Sequence, residues 1–332
     1  MLTTVTSTIT TTGEKTTSKI TTTATTTTQR RIKINRKWMQ NGITIVGGKK
    51  PGIQLLTPRK VYIDDEDDQI IYIIDRHNNS IIKWKQDVNE GEIIAGGNGA
   101  GDSMNQLDLP SALIIDKHTD SYVICDWRNK RVVRWFKQNH DEAHQQIVLS
   151  EIDCSDLSVD SEENFYLADY KNLEIKRWRK EEAPATIVAS GNALGDQSNQ
   201  VHLLLNFFVD RNQSIYLSDA YNHRVLKWAK GTSEATVVAG GHGEGDSLTQ
   251  LRTPSDIIVD QQGNIYIADQ WNHRIMCWLK GSKEGSVIVG GKGEGEQSNQ
   301  LNRPSSLSFD QQGNLYVADY ANRRIQKFDV ID

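Results

Sequence analysis

Short runs of apolar and β-branched residues alternate with turn-forming clusters along most of this chain. Pro254-Ser-Asp-Ile257-Ile258-Val259-Asp260 is one such run, and Gln261-Gln262-Gly263-Asn264 after it is turn chemistry. Ile265-Tyr266-Ile267-Ala268-Asp269 predicts a second strand, Gln270-Trp271-Asn272-His273 a turn, and Arg274 to Trp278 a third strand. After a turn at Lys280–Gly285, Ser286-Val287-Ile288-Val289 predicts a fourth. Four short strands joined by tight turns make one antiparallel sheet.

The pattern recurs. Asp219-Ala-Tyr-Asn222-His223-Arg224 precedes Asp269-Gln-Trp-Asn272-His273-Arg274, and Asp319-Tyr-Ala-Asn322-Arg323-Arg324 follows it. Looser copies start at Asp75, Asp126 and Asp169. Third strands end at Trp84, Trp135, Trp178, Trp228, Trp278 and Phe328, so both series count six units. A strand-rich unit repeated at this period predicts radial repetition, with each four-stranded sheet a propeller blade. The last unit stops after its third strand, at Val330. Ile43-Thr-Ile45-Val46-Gly47-Gly48 matches Val287–Gly291, so this N-terminal strand is expected to complete the sixth blade and close the ring. Closure removes the exposed sheet edges of an open array.

Composition narrows the functional classes. The 332 residues carry a formal net charge of -5, which gives no bulk support for nucleic-acid binding. Cys125, Cys154 and Cys277 show no metal-ligand spacing and suggest no disulfide framework, so they are expected as buried thiols. No apolar run approaches the ~18 residues of a membrane span, and no signal-peptide h-region is seen, so no compartment is assigned. Residues 1–30 form a Thr-rich segment, read as a disordered tail or linker in a chain that would fit a longer multidomain product. Residues 31–332 form the expected propeller.

Asn222-His223-Arg224-Val225 and Asn272-His273-Arg274-Ile275, each following a Tyr-x-x-Asp strand end, resemble NHL repeats. The resemblance extends from about residue 43 to 332. It implies a six-bladed propeller similar to the NHL domains of tripartite-motif proteins. It also implies a range of roles: RNA- and protein-binding modules, receptor-kinase sensor domains and metal-dependent peptide-amidating lyases. Fold alone therefore does not choose the function.

The signature residues suit a scaffold. The pairs Asp126/Arg131, Asp219/Arg224, Asp269/Arg274 and Asp319/Arg324 flank one tight turn, and Asn222, Asn272 and Asn322 can bond the backbone inside it. All of these are expected as structural turn residues. Ser80 and Glu174 hold the Arg position in blades one and three, so no pair is expected there. The residues between them are better placed for binding. Turns between second and third strands share a face with the inter-blade loops. That face brings together Arg76, Trp127, Arg128, Tyr170, Lys171, Tyr221, His223, Trp271, His273, Tyr320 and Arg323. Aromatic and basic side chains of this kind suit a protein or peptide ligand. RNA is the alternative, opposed by Asp102, Asp196, Glu244, Asp246, Glu294 and Glu296 in the neighbouring loops. A third reading is a calcium-dependent hydrolase or lyase with Asp156, Asn206 and Asp256 at the channel mouth, as in lactonase-like propellers. No catalytic constellation is visible and no cofactor is expected. The sequence therefore points to a non-catalytic binding platform.

Overall fold

The computed structural model describes residues 36–331 apart from 51, 65, 66, 68, 88, 139–144, 179–184, 192–194, 196–199 and 203. The Thr-rich segment lies outside these residues, as does Asp196. Six four-stranded antiparallel sheets follow one another along the chain as blades of a propeller. Blade five shows the unit: strands Pro254–Val259, Ile265–Asp269, Arg274–Trp278 and Ser286–Gly290, paired in sequence order. The first strand lines the central channel.

The ring closes as the sequence predicts. Ile43–Gly47 pairs antiparallel with Arg324–Phe328 and completes the blade formed by Pro304–Phe309 and Leu315–Asp319. A further clasp was not anticipated. Lys37–Trp38 pairs with Val330–Ile331. Trp38 is buried against Tyr266 and Phe309, and its Nε1 donates to the Gly313 carbonyl at 2.9 Å.

Apolar alternation on each strand feeds the seams between blades. The six buried clusters among the described residues each join two neighbouring blades. Trp228, Trp278 and Phe328, which end third strands, are fully buried there.

Polar stitches reinforce the seams near the channel. Ser111, Ser155, Ser255 and Ser305, the second residues of their first strands, donate Oγ hydrogen bonds to Cys154, Leu204, Pro304 and Pro58 carbonyls in the next blade. One residue further along, Asp156, Asp256 and Ser306 accept the backbone N–H of Phe207, Leu307 and Val61. Buried polar groups on a strand edge are thereby satisfied across the gap.

The cysteine expectation is corrected at one seam. Cys125 and Cys154 form a disulfide across blades two and three, their Cα atoms 5.5 Å apart. A separation of 29 residues in sequence gave no sign of this, because the blade-to-blade register creates the proximity. Cys277 is a buried free thiol, pushed up to about 12 by burial and the nearby Asp260 charge.

Candidate functional site

The turn face is built from one repeated clamp. In blade five Asp269 is fully buried, and its Oδ1 accepts the Arg252 N–H at 2.6 Å. Its Oδ2 accepts Asn272 Nδ2 at 2.8 Å and Arg274 Nε at 2.7 Å. Arg274 then reaches the carbonyls of Asp246, Ser247 and Gln250 in the inter-blade loop. Asn272 Nδ2 also bonds the Gly245 carbonyl. The same Asp–Asn–Arg geometry recurs around Asp126, Asp219 and Asp319, with Asn129, Asn222 and Asn322 and with Arg131, Arg224 and Arg324. These side chains direct their polar groups inward to hold turn and loop together. Burial raises the Asp269, Asp319 and Asp126 carboxyls above their ordinary values, against the opposing pull of hydrogen bonds and the arginines.

The arginines flank the turn from the strand side. Arg131 is the first residue of Arg131–Phe136, paired with Asp126 across the ladder. Arg224, Arg274 and Arg324 likewise open their third strands, Arg224–Trp228, Arg274–Trp278 and Arg324–Phe328. The physical reason is the antiparallel register, which sets Asp and Arg directly opposite each other at the strand ends that the turn joins. Arg131 is buried, and its Nε donates to Asp126 Oδ2 at 2.7 Å. Its two terminal nitrogens donate to the carbonyls of Asp102 at 2.7 Å, Ser103 at 3.1 Å and Gln106 at 3.0 Å. The guanidinium of Arg131 therefore fastens the turn to the incoming loop from the strand beneath it.

Blade three departs from the sequence expectation. Lys176, two positions past Glu174, reaches Asp169 at 2.6 Å, so a pair does form there. The period-two geometry of a strand puts residues two apart on one side, which lets Lys176 replace the missing Arg. In blade one Asp75 receives the N–H groups of Leu56 and Thr57 and Asn78 Nδ2.

The residues proposed for binding divide into two groups. His223 and His273 sit in the left-handed region that ends each turn (φ 53° for both). Their Nδ1 atoms accept the N–H of Thr253 at 3.1 Å and Arg303 at 3.2 Å. Asn79 Oδ1 does the same for Leu109 at 2.8 Å. Thr253, Arg303 and Leu109 each precede a proline and have positive φ, a strained state that this bond helps to fix. Burial holds the His273 imidazole below its ordinary value, consistent with a neutral ring whose Nδ1 accepts. Gly290 shows how close the loop lies: at φ 76°, a Cβ there would sit 2.6 Å from the His273 carbonyl. These two histidines are therefore tied into the scaffold.

The aromatics stand outward. Tyr221 is 55%, Trp271 38% and Tyr170 36% exposed. The aromatics pack against side chains of neighbouring loops and turns. Arg303 lies over the Trp271 ring at 4.1 Å and Arg252 at 6.0 Å. His202 packs edge-on against Tyr221 with centroids 5.1 Å apart, and Arg76 covers Trp127 at 4.5 Å. Arg128, Lys171 and Arg323 are exposed on the rim, and Tyr320 is half-buried. The loop acids are interleaved with bases: Glu244 pairs with Arg252 at 2.5 Å and Glu296 with Lys49 at 2.9 Å. The face is mixed in sign rather than uniformly positive.

At the channel mouth the structure adds residues that sequence reading left out. Asp156, Asn206 and Asp256 are buried at equivalent positions of their first strands. Lys60 occupies that position in blade one, and its ammonium crosses the channel to pair with Asp156, with Asn206 Oδ1 at 3.4 Å. The signal was present: Lys60 follows Pro58 by two, as Asp256 follows Pro254. Burial raises the Asp156 carboxyl while the Lys60 charge opposes that shift. The lysine places a cation where the third reading would put calcium, and a metal would have to displace it. Beyond Lys60 the channel opens into a cavity of about 320 Å³ with apolar walls that include Tyr62, Phe208 and Ile258. Arg59, beside Lys60, is only 8% exposed.

Among the described residues no helix is long and apolar enough to cross a membrane. No curated protein sequence matches the chain. Solved structures share its architecture at low identity. An auxiliary nutrient binding protein from Bacteroides thetaiotaomicron superposes with a TM-score of 0.67 at 13% identity, covering 92% of this chain and 76% of that one. Its counterpart from Bacteroides ovatus gives 0.62 at 14%, covering 93% and 76%. Virginiamycin B lyase from Staphylococcus aureus gives 0.55 at 10%, covering 83% and 96%. These likenesses establish the fold. The model of the NHL repeat matches residues 251–278 and 301–328, where the clamp sequence is most regular. The chain thus carries NHL repeats at these two stretches within a closed six-bladed β-propeller.

Proposed function

We propose that this propeller is a non-catalytic binding platform whose turn face takes a protein or peptide ligand. The observation that carries the reading is the row of outward aromatics, Tyr170, Tyr221 and Trp271, each presented by a rigid clamp on one face. Exposed aromatics on a preorganised surface, flanked by arginines, have the composition of protein hot spots. The interleaving of Glu244 and Glu296 with Arg252 and Lys49 supports a peptide over a polyphosphate backbone, which would meet these acids. Lys60 within the Asp156–Asn206 group weighs against a calcium-dependent hydrolase or lyase.

The test is selection of a displayed peptide library on the full chain, followed by affinities for Trp271→Ala and Tyr221→Ala. Selected peptides should lose at least tenfold in affinity with either variant, a loss of ~1.4 kcal/mol. Failure to enrich any peptide, together with RNA binding that weakens steeply with salt and on Arg323→Glu, would replace this reading with the RNA one.

A further inference from the structure

One pair of side chains on the turn face is not used by the scaffold. Ser111, Ser155, Ser255 and Ser305 stitch their blades to the next from the second position of the first strand. Blade one carries Arg59 there instead. Arg59 is more than nine-tenths buried. Among the described residues its guanidinium has no hydrogen-bond or ion-pair partner. Arg76, the first residue of the blade-one turn, is half-buried over Trp127 and its guanidinium is likewise without such a partner among the described residues.

The two cations feel one another. Burial lowers Arg76 to about 10, and the Arg59 charge pulls the same way. Burial also lowers Arg59, against the charges of Asp256 and Asp156. No Arg59 nitrogen is among the fully buried unpartnered atoms, so the guanidinium faces open space with its N–H donors unanswered, where a planar acceptor can meet them. We propose that Arg59 and Arg76 form a carboxylate-binding site at the turn-face mouth of the channel, rimmed by Trp127 and Tyr320, that captures a carboxylate of the peptide ligand. This rests on the peptide-platform reading above.

The local charge selects the ligand. Lys60 and Asp156 neutralise each other, which leaves Arg59 and Arg76 against Asp256. The surplus is a single positive charge. A monoanionic carboxylate matches it and can accept two parallel N–H bonds from a guanidinium. A phosphate dianion would meet the buried Asp256 and Asp156 at close quarters. The carboxylate has two sources, an acidic side chain or a chain terminus.

The test uses the full chain with arginine side chains labelled with ¹⁵N, titrated with three probes: N-acetylglutamate α-amide, N-acetylglutamine and inorganic phosphate. The first carries only a side-chain carboxylate and the second only a terminal one. Saturable movement of the Arg59 Nε–H signal is expected with at least one carboxylate, and which probe binds tighter identifies the source. Arg59→Ser installs the residue that four other blades use, so the fold should persist, as near-UV circular dichroism would verify. That variant should bind about 30-fold or more weakly, and Arg76→Gln should weaken binding without altering the spectrum. No saturable shift with either carboxylate, equal binding by folded Arg59→Ser, or tighter binding of phosphate would each overturn the site. The library selection reads the platform separately. Peptides that depend on Trp271 but not on Arg59 would leave the platform standing and remove the carboxylate site.

Discussion

Removing one arginine from one clamp should cost a large fraction of the stability of the propeller, by an amount that depends on pH. Arg274→Ala deletes the 2.7 Å bond to Asp269 Oδ2 and the contacts to three loop carbonyls. Asp269 is fully buried, so its charge has no water to turn to. Breaking a buried pair in this way costs about 3–5 kcal/mol. Asp269 has an escape, because burial already raises its carboxyl, and without Arg274 it rises further. The folded variant then holds a proton that the unfolded chain, titrating near ~3.9, gives up. Folding is therefore favoured as pH falls from the folded value towards the unfolded one, and because the wild-type carboxyl is itself raised, the penalty shrinks only between the variant's folded value and the wild type's, by up to ~1.4 kcal/mol for each pH unit. Urea unfolding of wild type, Arg274→Ala and Arg274→Lys at pH 7.5 and pH 5 measures this directly. The Ala variant should be the less stable at both, with the smaller gap at pH 5. Lys should recover part of the loss, since it supplies charge without the fork. A pH-independent loss under about 1 kcal/mol would put Asp269–Arg274 with ordinary exposed ion pairs and refute the clamp.

Trp38→Ala removes the buried ring that locks the N-terminal clasp onto Tyr266 and Phe309, and it should cost about 3–5 kcal/mol in denaturant unfolding; an unchanged midpoint would mean that the strand pair Ile43–Gly47 and Arg324–Phe328 closes the ring unaided. Of the three cysteines, only Cys277 should react with maleimide in denaturant without reductant, and all three after reduction; three reactive thiols before reduction would rule out the Cys125–Cys154 bond. Burial alone would raise the Asp116 carboxyl, but Arg134 at 2.5 Å and Thr119 outweigh it and hold the group below its ordinary value. Its stabilising share is present above the unfolded value and lost as pH falls through the folded one. Asp116→Asn should therefore be less stable at pH 7 and lose less stability than wild type on acidification; parallel acid titrations of the two would contradict the assignment.

What the sequence reveals and what it hides follow from the distance over which each feature is encoded. Strands, turns and the Asp–Asn–Arg clamp lie within one repeat, and alternation with turn chemistry makes them legible. The pairing of Asp126 with Arg131 is legible at this level, while the reach of Arg131 to the Asp102, Ser103 and Gln106 carbonyls is not, because it depends on how the loop folds over the turn. Closure by Ile43–Gly47 is legible too, because a missing strand at one end matches a spare strand at the other. The Cys125–Cys154 bond, the serine stitches and the Lys60 bridge all join different blades. Their partners are fixed by the angular position of a blade in the ring, which local pattern does not contain. The roles of His223 and His273 were hidden for a similar reason: the N–H groups that their Nδ1 atoms accept belong to the next blade. Comparing one position across all six blades recovers part of what is hidden. Arg59 among serines, and Lys60 in a column with Asp156, Asn206 and Asp256, stand out in that view.

Those departures collect in blade one, and the clamp shows why they can. Where Asp, Asn and Arg are all present, the Arg joins the turn to the incoming loop, as Arg274 does through Asp246, Ser247 and Gln250. In blade one Ser80 holds the Arg position, and Asp75 is satisfied by the N–H groups of Leu56 and Thr57 and by Asn78. The turn is complete without a guanidinium, so Arg59 and Arg76 are not needed as mortar. Closure permits this: the seams on either side of blade one keep their full apolar clusters, and Ser305 still bonds the Pro58 carbonyl from blade six. In a ring where each blade is held by its neighbours, one blade can give up its own polar stitch without opening an edge. A closed repeat of this kind gains specificity most readily by changing one blade near the channel, where a single altered position faces the equivalent position of every other blade. Lys60, which crosses the channel from blade one to reach Asp156 in blade three and Asn206 in blade four, makes that reach visible.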